Sequence, residues 1–207
     1  MHEQVHFSRN RLVSLRLTPS PSTSITALTR LQSLYLEANA LSSWEDVAPL
    51  GELPSLALLN LNFNQLRSVP TPEAGGGFLT LRHLMLRGNP LDSWASIDAL
   101  DLYPKLTEAR LAELPLTSSM SGAAARRVVI ARMAKLRSLN GSEVRTRERE
   151  DAERFYLRQI AQEYPDGGLP ADAVVYPDVD NEAASVSVSS LSIGRLFAPS
   201  TPQFPWA

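Results

Sequence analysis

Three eleven-residue segments of this chain share one spacing: LQSLYLEANAL from Leu31, LALLNLNFNQL from Leu56 and LRHLMLRGNPL from Leu81. They stand 25 residues apart both times, and five positions match in every copy. Leucine recurs at Leu31, Leu56 and Leu81; at Leu34, Leu59 and Leu84; at Leu36, Leu61 and Leu86; and at Leu41, Leu66 and Leu91. Asparagine recurs at Asn39, Asn64 and Asn89. A phrase kept in register three times restricts the chain to folds that stack one unit on the next.

The phrase L-x-x-L-x-L-x-x-N-x-L is that of a leucine-rich repeat. Its central L-x-L is a short strand, so Leu34 and Leu36 face one side while Ser33, Tyr35 and Glu37 face the other. One such strand cannot bury its leucines alone; stacking gives a parallel sheet over a continuous leucine core. Asn39, Asn64 and Asn89 end the strands. Their amides are suited to bonding backbone groups of that turn and of the next repeat that would otherwise be buried without partners. The expected fold is an α/β solenoid: a leucine-rich-repeat horseshoe with a parallel concave sheet, convex helices or loops and a C-terminal helical cap.

Residues 1–117 are expected to hold about five repeats, the first of them irregular. Residues 11–18, RLVSLRLT, fit L-x-x-L-x-L through Leu12, Leu15 and Leu17, although the step to Leu31 is only 19. A further repeat begins at Leu106, where Ala109 and Leu114 replace the usual leucine and asparagine. Between phrases, Ser43 and Ser93 are good helix N-caps, and Asp46 follows Ser43 as in a capping box. Trp44 with Val47 and Trp94 with Ile97 have helical spacing and are expected to pack convex turns onto the strands. Pro70, Pro72 and Gly75-Gly76-Gly77 make the next connection a loop. The glycines are not a phosphate loop, since no Gly-Lys-Ser/Thr follows.

Residues 118–164 read as a capping region. It comprises a helix over 118–134, a short strand near Leu136–Gly141 and a helix from Arg147 to about Tyr164. Thr146 is that last helix's expected N-cap, and Ala152, Phe155, Tyr156 and Ile160 form its apolar stripe. Residues 165–207 carry five acids and one base among many Pro, Ser and Ala, and are expected to be a disordered tail or linker.

Composition narrows the function. The net charge of −2 gives no electrostatic case for nucleic acid or a membrane surface. The lack of cysteine excludes a disulfide framework and cysteine metal sites, and favours an intracellular protein. No apolar run approaches the roughly 18–20 residues of a membrane span. MHEQVHFSRNRL lacks the apolar stretch of a signal peptide and starts almost inside a repeat, so a fragment or reduced relative of a longer protein is expected.

No enzyme constellation and no metal-ligand spacing is evident, and no cofactor is expected. His2, His6 and His83 are the only histidines. Function is expected instead on the concave grid of outward positions. Its first row reads Ser14, Ser33, Leu58, His83, Glu108; its second Arg16, Tyr35, Asn60, Met85, Arg110; its third Thr18, Glu37, Asn62, Arg87, Ala112. Tyr, Met and Arg are enriched in protein interfaces, and apolar Leu58 and Met85 on a sheet face favour a partner. The candidate partner-binding residues are Tyr35, Glu37, Leu58, Asn60, His83, Met85, Arg87, Glu108 and Arg110. Asn39, Asn64 and Asn89 are assigned structural roles.

Three stretches resemble the leucine-rich-repeat domain of the tubulin-folding cofactor E family. They are LSSWEDVAPLGELPSLALLNLNFNQL (41–66), LMLRGNPLDSWASIDALDLYPKLTEARLAELPL (84–116) and IARMAKLRSLNGSEVRTREREDAERFYLRQIAQEYP (130–165). The resemblance implies a cytoplasmic, cytoskeleton-associated scaffold that holds α-tubulin. Such a scaffold acts with cofactors D and C and an Arf-like GTPase as the αβ heterodimer is assembled or taken apart. The CAP-Gly and ubiquitin-like modules typical of that family have no recognisable motif here. The alternative is a generic intracellular repeat adaptor of phosphatase-regulatory or ribonucleoprotein type; phosphatase-regulatory repeats run shorter than the 25-residue step seen here.

Overall fold

The computed structural model describes residues 3–15, 28–72 and 77–163. Among them, seven strands form one sheet in sequence order: β1 (Glu3–His6), β2 (Leu31–Tyr35), β3 (Leu58–Asn60), β4 (His83–Met85), β5 (Glu108–Arg110), β6 (Ser138–Leu139) and β7 (Ser142–Glu143). β1 to β6 are parallel, and β7 turns back antiparallel on β6. The 25-residue step becomes strand register: Ser33 lies beside Leu58, Leu58 beside His83 and His83 beside Glu108.

The inward positions make one continuous core. Leu34, Leu59 and Leu84 are buried, and Ala109 and Leu139 continue their row. Below them lie Leu41, Leu66 and Leu91, and Trp44, Val47, Trp94 and Ile97 from the convex side. Burial of a leucine side chain stabilises by about 1.5–3 kcal/mol, which offsets the irregular backbone between strands.

The asparagines bond their own turns as expected, but the other repeat they reach is the preceding one rather than the next, because each side chain points back along the stack. Asn64 Nδ2 donates to the Leu36 and Leu61 carbonyls at 3.0 Å, and its Oδ1 accepts from Leu41 N–H at 3.2 Å. Asn89 repeats this with Leu61, Leu86 and Leu66, and Asn39 with Phe7, Leu36 and Leu12. The residue before each asparagine is left-handed: Ala38, Phe63 and Gly88 have φ of 55, 55 and 69°, and Glu113 sits likewise at 57°. Leu114 cannot supply the next rung of the ladder; one repeat on, Asn140 Oδ1 accepts from Leu111 N–H at 2.7 Å, where Leu36, Leu61 and Leu86 N–H bond backbone carbonyls.

The first repeat lies earlier than expected. Its strand is Glu3–His6, and residues 11–15 of the expected segment form none; Gln4, Val5 and His6 pair with Ser33, Leu34 and Tyr35. Val5 takes the place of Leu34, Asn10 the place of Asn39, and Leu12 the final leucine. Leu12 and Leu15 pack against the core without forming a strand. The physical reason is hydrogen bonding: Asn39 already joins its rung to Phe7, Asn10 and Leu12, which fixes β1 upstream of them. Leu17, Arg16 and Thr18 lie outside the described residues, as do Gly75, Gly76 and 165–207.

The convex side holds 3-10 turns at Trp44–Asp46 and Ala48–Glu52, then helix α1 (Trp94–Asp101). Ser43 and Ser93 cap as expected, accepting from Glu45 N–H and Ala95 N–H. Residues 68–72 and 77–80 form no helix. The cap is helix α2 (Gly122–Arg132) against helix α3 (Thr146–Glu163), with Ala152 and Tyr156 buried and Phe155 and Ile160 packed on the core. Thr146 is the first helical residue rather than the cap; Arg149 N–H bonds back to the Arg145 carbonyl.

A largely buried ion pair ties the cap to the repeats. Arg132 donates to both oxygens of Asp98 at 2.8 and 2.7 Å and lies 5.1 Å from the rings of Trp94 and Tyr156, so α1, α2 and α3 meet on one guanidinium. Burial raises the Asp98 pKa, and Arg132 opposes that rise. Arg149, its pKa lowered by burial, donates to the Ile130, Met133 and Leu136 carbonyls that end α2.

Candidate interaction face

The concave sheet presents side chains at alternate positions, and the register sets which of them adjoin. Gln4, Ser33, Leu58, His83, Glu108 and Ser138 form one row; His6, Tyr35, Asn60, Met85 and Arg110 form the next. Gln4 and His6 replace Ser14 and Arg16 of the sequence-based grid, because β1 lies upstream.

Tyr35 is stacked on His6, with ring centroids 4.2 Å apart and planes 3° from parallel. The pair forms a flat aromatic shelf at one end of the face. Leu58 and Met85 are half-buried on the outward side of β3 and β4, although Leu59 and Leu84 beside them are fully inside. His83 Nδ1 lies 3.0 Å from Glu108 Oε2. With Met85, Arg110 and Ser138 they line a shallow hollow of about 70 Å³ across β4, β5 and β6. Glu108 and Arg110 are exposed.

Asn60 is placed differently from its neighbours. It is only 5% exposed. Its Nδ2 donates to Glu37 Oε2 and its Oδ1 accepts from Asn62 N–H, both at 3.0 Å. Asn60 thus holds Glu37 in place and offers little surface of its own, and Asn62 Oδ1 in turn accepts from Arg87 N–H at 2.9 Å. These bonds hold the Glu37 carboxylate and the Arg87 backbone.

Arg87 forms an ion pair with Glu113 at the C-terminal edge of the strands, and its guanidinium lies 5.3 Å from the Phe63 ring centroid. The hydrogen bond from Arg87 holds the Glu113 carboxyl below its ordinary range. Phe63 is 41% exposed. The grid of alternate strand positions missed it because it lies in the turn. The available signal was its position in the phrase, one residue before the asparagine, where the other copies carry Ala38 and Gly88.

Among the described residues no cluster of His, Asp or Glu is arranged to hold a metal ion. No described helix is long and apolar enough to cross a membrane. The face is a rigid, mixed surface of two aromatic rings, two aliphatic side chains, a His–Glu pair and exposed arginines, an arrangement suited to docking a protein.

Comparison with known proteins agrees with this architecture. A family model described as Leucine rich repeat matches residues 29–91. Tubulin-folding cofactor E of Arabidopsis thaliana is 35% identical over 172 residues, covering 79% of this chain and 32% of that protein. The tubulin-specific chaperone cofactor E-like protein of Homo sapiens is 39% identical over 131 residues, covering 62% and 31%. Tubulin-specific chaperone E of Rattus norvegicus is 28% identical over 171 residues, covering 80% and 31%. The chain spans about a third of the length of these curated relatives. Among solved structures, the Drosophila melanogaster SNF/U2A' complex contains a chain that superposes with a TM-score of 0.61 at 17% identity, covering 79% of this chain and 86% of that one. At that identity the likeness shows the fold alone.

Proposed function

We propose, from the premise that this chain is a leucine-rich-repeat protein related to tubulin-folding cofactor E, that it is a non-catalytic scaffold whose concave face docks tubulin. The partner is α-tubulin, held while the αβ heterodimer is assembled or taken apart in the cytoplasm, at the cytoskeleton. Cofactors D and C and an Arf-like GTPase act on the same bound tubulin.

The observation that carries this reading is the second concave row, where the His6–Tyr35 stack on β1 and β2 and Met85 and Arg110 on β4 and β5 flank the buried Asn60 of β3. Stacked rings lose little conformational entropy on docking, and aromatic and arginine side chains dominate binding energy where they recur. Tyr35, Leu58 and Met85 supply apolar contact. Glu37, His83, Arg87, Glu108 and Arg110 supply charge and hydrogen bonds around it.

The test is capture of the chain on immobilised αβ-tubulin, comparing the native sequence with a Tyr35→Ala, Met85→Ala, Arg87→Ala, Arg110→Ala variant. At least tenfold weaker capture with an unchanged unfolding temperature supports the reading. Unchanged capture removes it, and preferential capture on a phosphatase catalytic subunit or a ribonucleoprotein moves the chain to the adaptor class.

A further inference from the structure

Charge is divided unevenly along this chain. Residues 1–117 hold nine basic and eleven acidic side chains, whereas the cap, 118–164, holds ten basic and six acidic. The excess gathers at a cleft of about 430 Å³ between the start of α2 and the start of α3, lined by Arg126, Arg127, Arg145, Arg147, Glu148 and Asp151. It lies outside the concave sheet.

The arginines of the cleft are in different states. Arg126 is satisfied: it donates to both Glu148 oxygens at 2.6 and 3.1 Å and to the Leu139 and Glu143 carbonyls, which braces the cleft floor. Arg127 lies 5.2 Å from the Phe155 ring; stacking occupies the face of a guanidinium and leaves its N–H edge able to bond. Arg145 touches Glu143 only at 3.9 Å, with both side chains mostly exposed. Arg147 is exposed. Asp151 is engaged by Arg154 at 3.6 Å. Three guanidiniums thus surround an open cleft whose carboxylates are already paired.

We propose that this cleft binds an acidic, extended peptide segment of a partner protein, its carboxylates held by Arg127, Arg145 and Arg147. Guanidinium and carboxylate match in a bidentate geometry that a lysine cluster lacks. The other polyanions fit less well. The nearby ring, Phe155, is covered by Arg127 and offers no base-stacking platform. A membrane surface requires apolar groups beside the charge, yet the exposed large apolar side chains among the described residues lie at Phe7, Val13, Leu28, Phe63, Leu79 and Leu102, outside the cap. The chain's own segment Asp178-Val179-Asp180-Asn181-Glu182 is the competing occupant.

The test is fluorescence anisotropy of a labelled octaglutamate peptide with the full chain at near-physiological salt. Saturable binding is expected, absent for octaglutamine and weakened at least tenfold by Arg145→Gln with Arg147→Gln. Both positions are exposed, so the unfolding temperature should not move. The Lys pair at the same positions should bind between the two. Tyr35→Ala with Met85→Ala should leave octaglutamate affinity intact, so this inference survives failure of the concave-face reading. Equal affinity for the Gln pair overturns the proposal, as does tighter binding of charge-matched duplex DNA or anionic vesicles. A tenfold gain in affinity on Asp178→Asn, Asp180→Asn and Glu182→Gln would identify the chain's own segment as occupant and overturn the assignment to a partner.

Discussion

A Cβ on Gly88 would stand 2.5 Å from the ring of Phe63. Gly88 is also left-handed, at φ 69°. One glycine therefore seats the exposed ring that Arg87 covers and permits the turn before Asn89. Gly88→Ala should cost about 1–2 kcal/mol for the backbone alone, plus a contribution from displacing Phe63. In a Phe63→Ala background the second contribution should vanish. A double-mutant cycle by urea denaturation checks this, and a coupling energy near zero would contradict the contact.

The asparagine ladder predicts a graded series. Asn64 is 4% exposed and bonds both its own and the preceding repeat. Asn64→Ala leaves the Leu41 N–H and the Leu36 and Leu61 carbonyls without that partner and should cost about 3 kcal/mol, at the upper end for a buried unsatisfied group. Asn10, at the equivalent place in the first repeat, is exposed, and its side-chain amide donates to the Ser8 carbonyl within its own turn. Asn10→Ala should change stability by less than about 0.5 kcal/mol. Equal effects at the two sites, measured by chemical denaturation, would contradict the ladder's role.

Arg132 and Asp98 join α2 to α1 inside the structure. Arg132→Ala leaves the largely buried Asp98 carboxylate without its partner and should cost about 3 kcal/mol, the lower end for a buried pair. Replacing both partners with apolar residues, Arg132→Met with Asp98→Leu, should recover most of that loss. Thermal unfolding of the two variants provides the comparison. A double variant as unstable as the single one would mean that the aromatic contacts, rather than charge, set the cost.

Acid sensitivity should involve the cap. Hydrogen bonds from Arg126 hold the Glu148 carboxyl below its ordinary range. A depressed folded-state pKa contributes stability that is present above the unfolded value of about 4.3 and is lost as pH falls through the lower folded value. Glu148→Gln should therefore lower the unfolding temperature at pH 7 and flatten its decline below about pH 4.3. Asp98 acts in the opposite sense: its raised pKa means that its ionisation lowers stability as pH rises through the folded value. A decline with the same slope in the Glu148→Gln variant would contradict the assignment.

Much of the fold is legible from residue spacing, because a 25-residue period in sequence is one strand step in space. β2 to β5, their register, the asparagine ladder and the serine caps all follow from it. The first repeat is obscured by substitution: Val5 and Phe7 stand where leucines are expected, the step from Asn10 to Asn39 is 29, and Leu12, Leu15 and Leu17 imitate the phrase nearby. The outward rows are readable by alternation, yet alternation cannot tell that Asn60 is used to hold Glu37. Nor can it pair Arg132 with Asp98 across 34 residues, since that contact depends on how the cap closes over α1.

The central claim is that the concave face of this chain meets tubulin. The most direct measurement is size-exclusion chromatography of the purified chain with αβ-tubulin, with and without cofactor D. The claim predicts co-elution that is lost when Tyr35, Met85, Arg87 and Arg110 are all alanine, in a variant that keeps its fold. A folded native chain that never co-elutes, or a quadruple variant that co-elutes equally well, would contradict it.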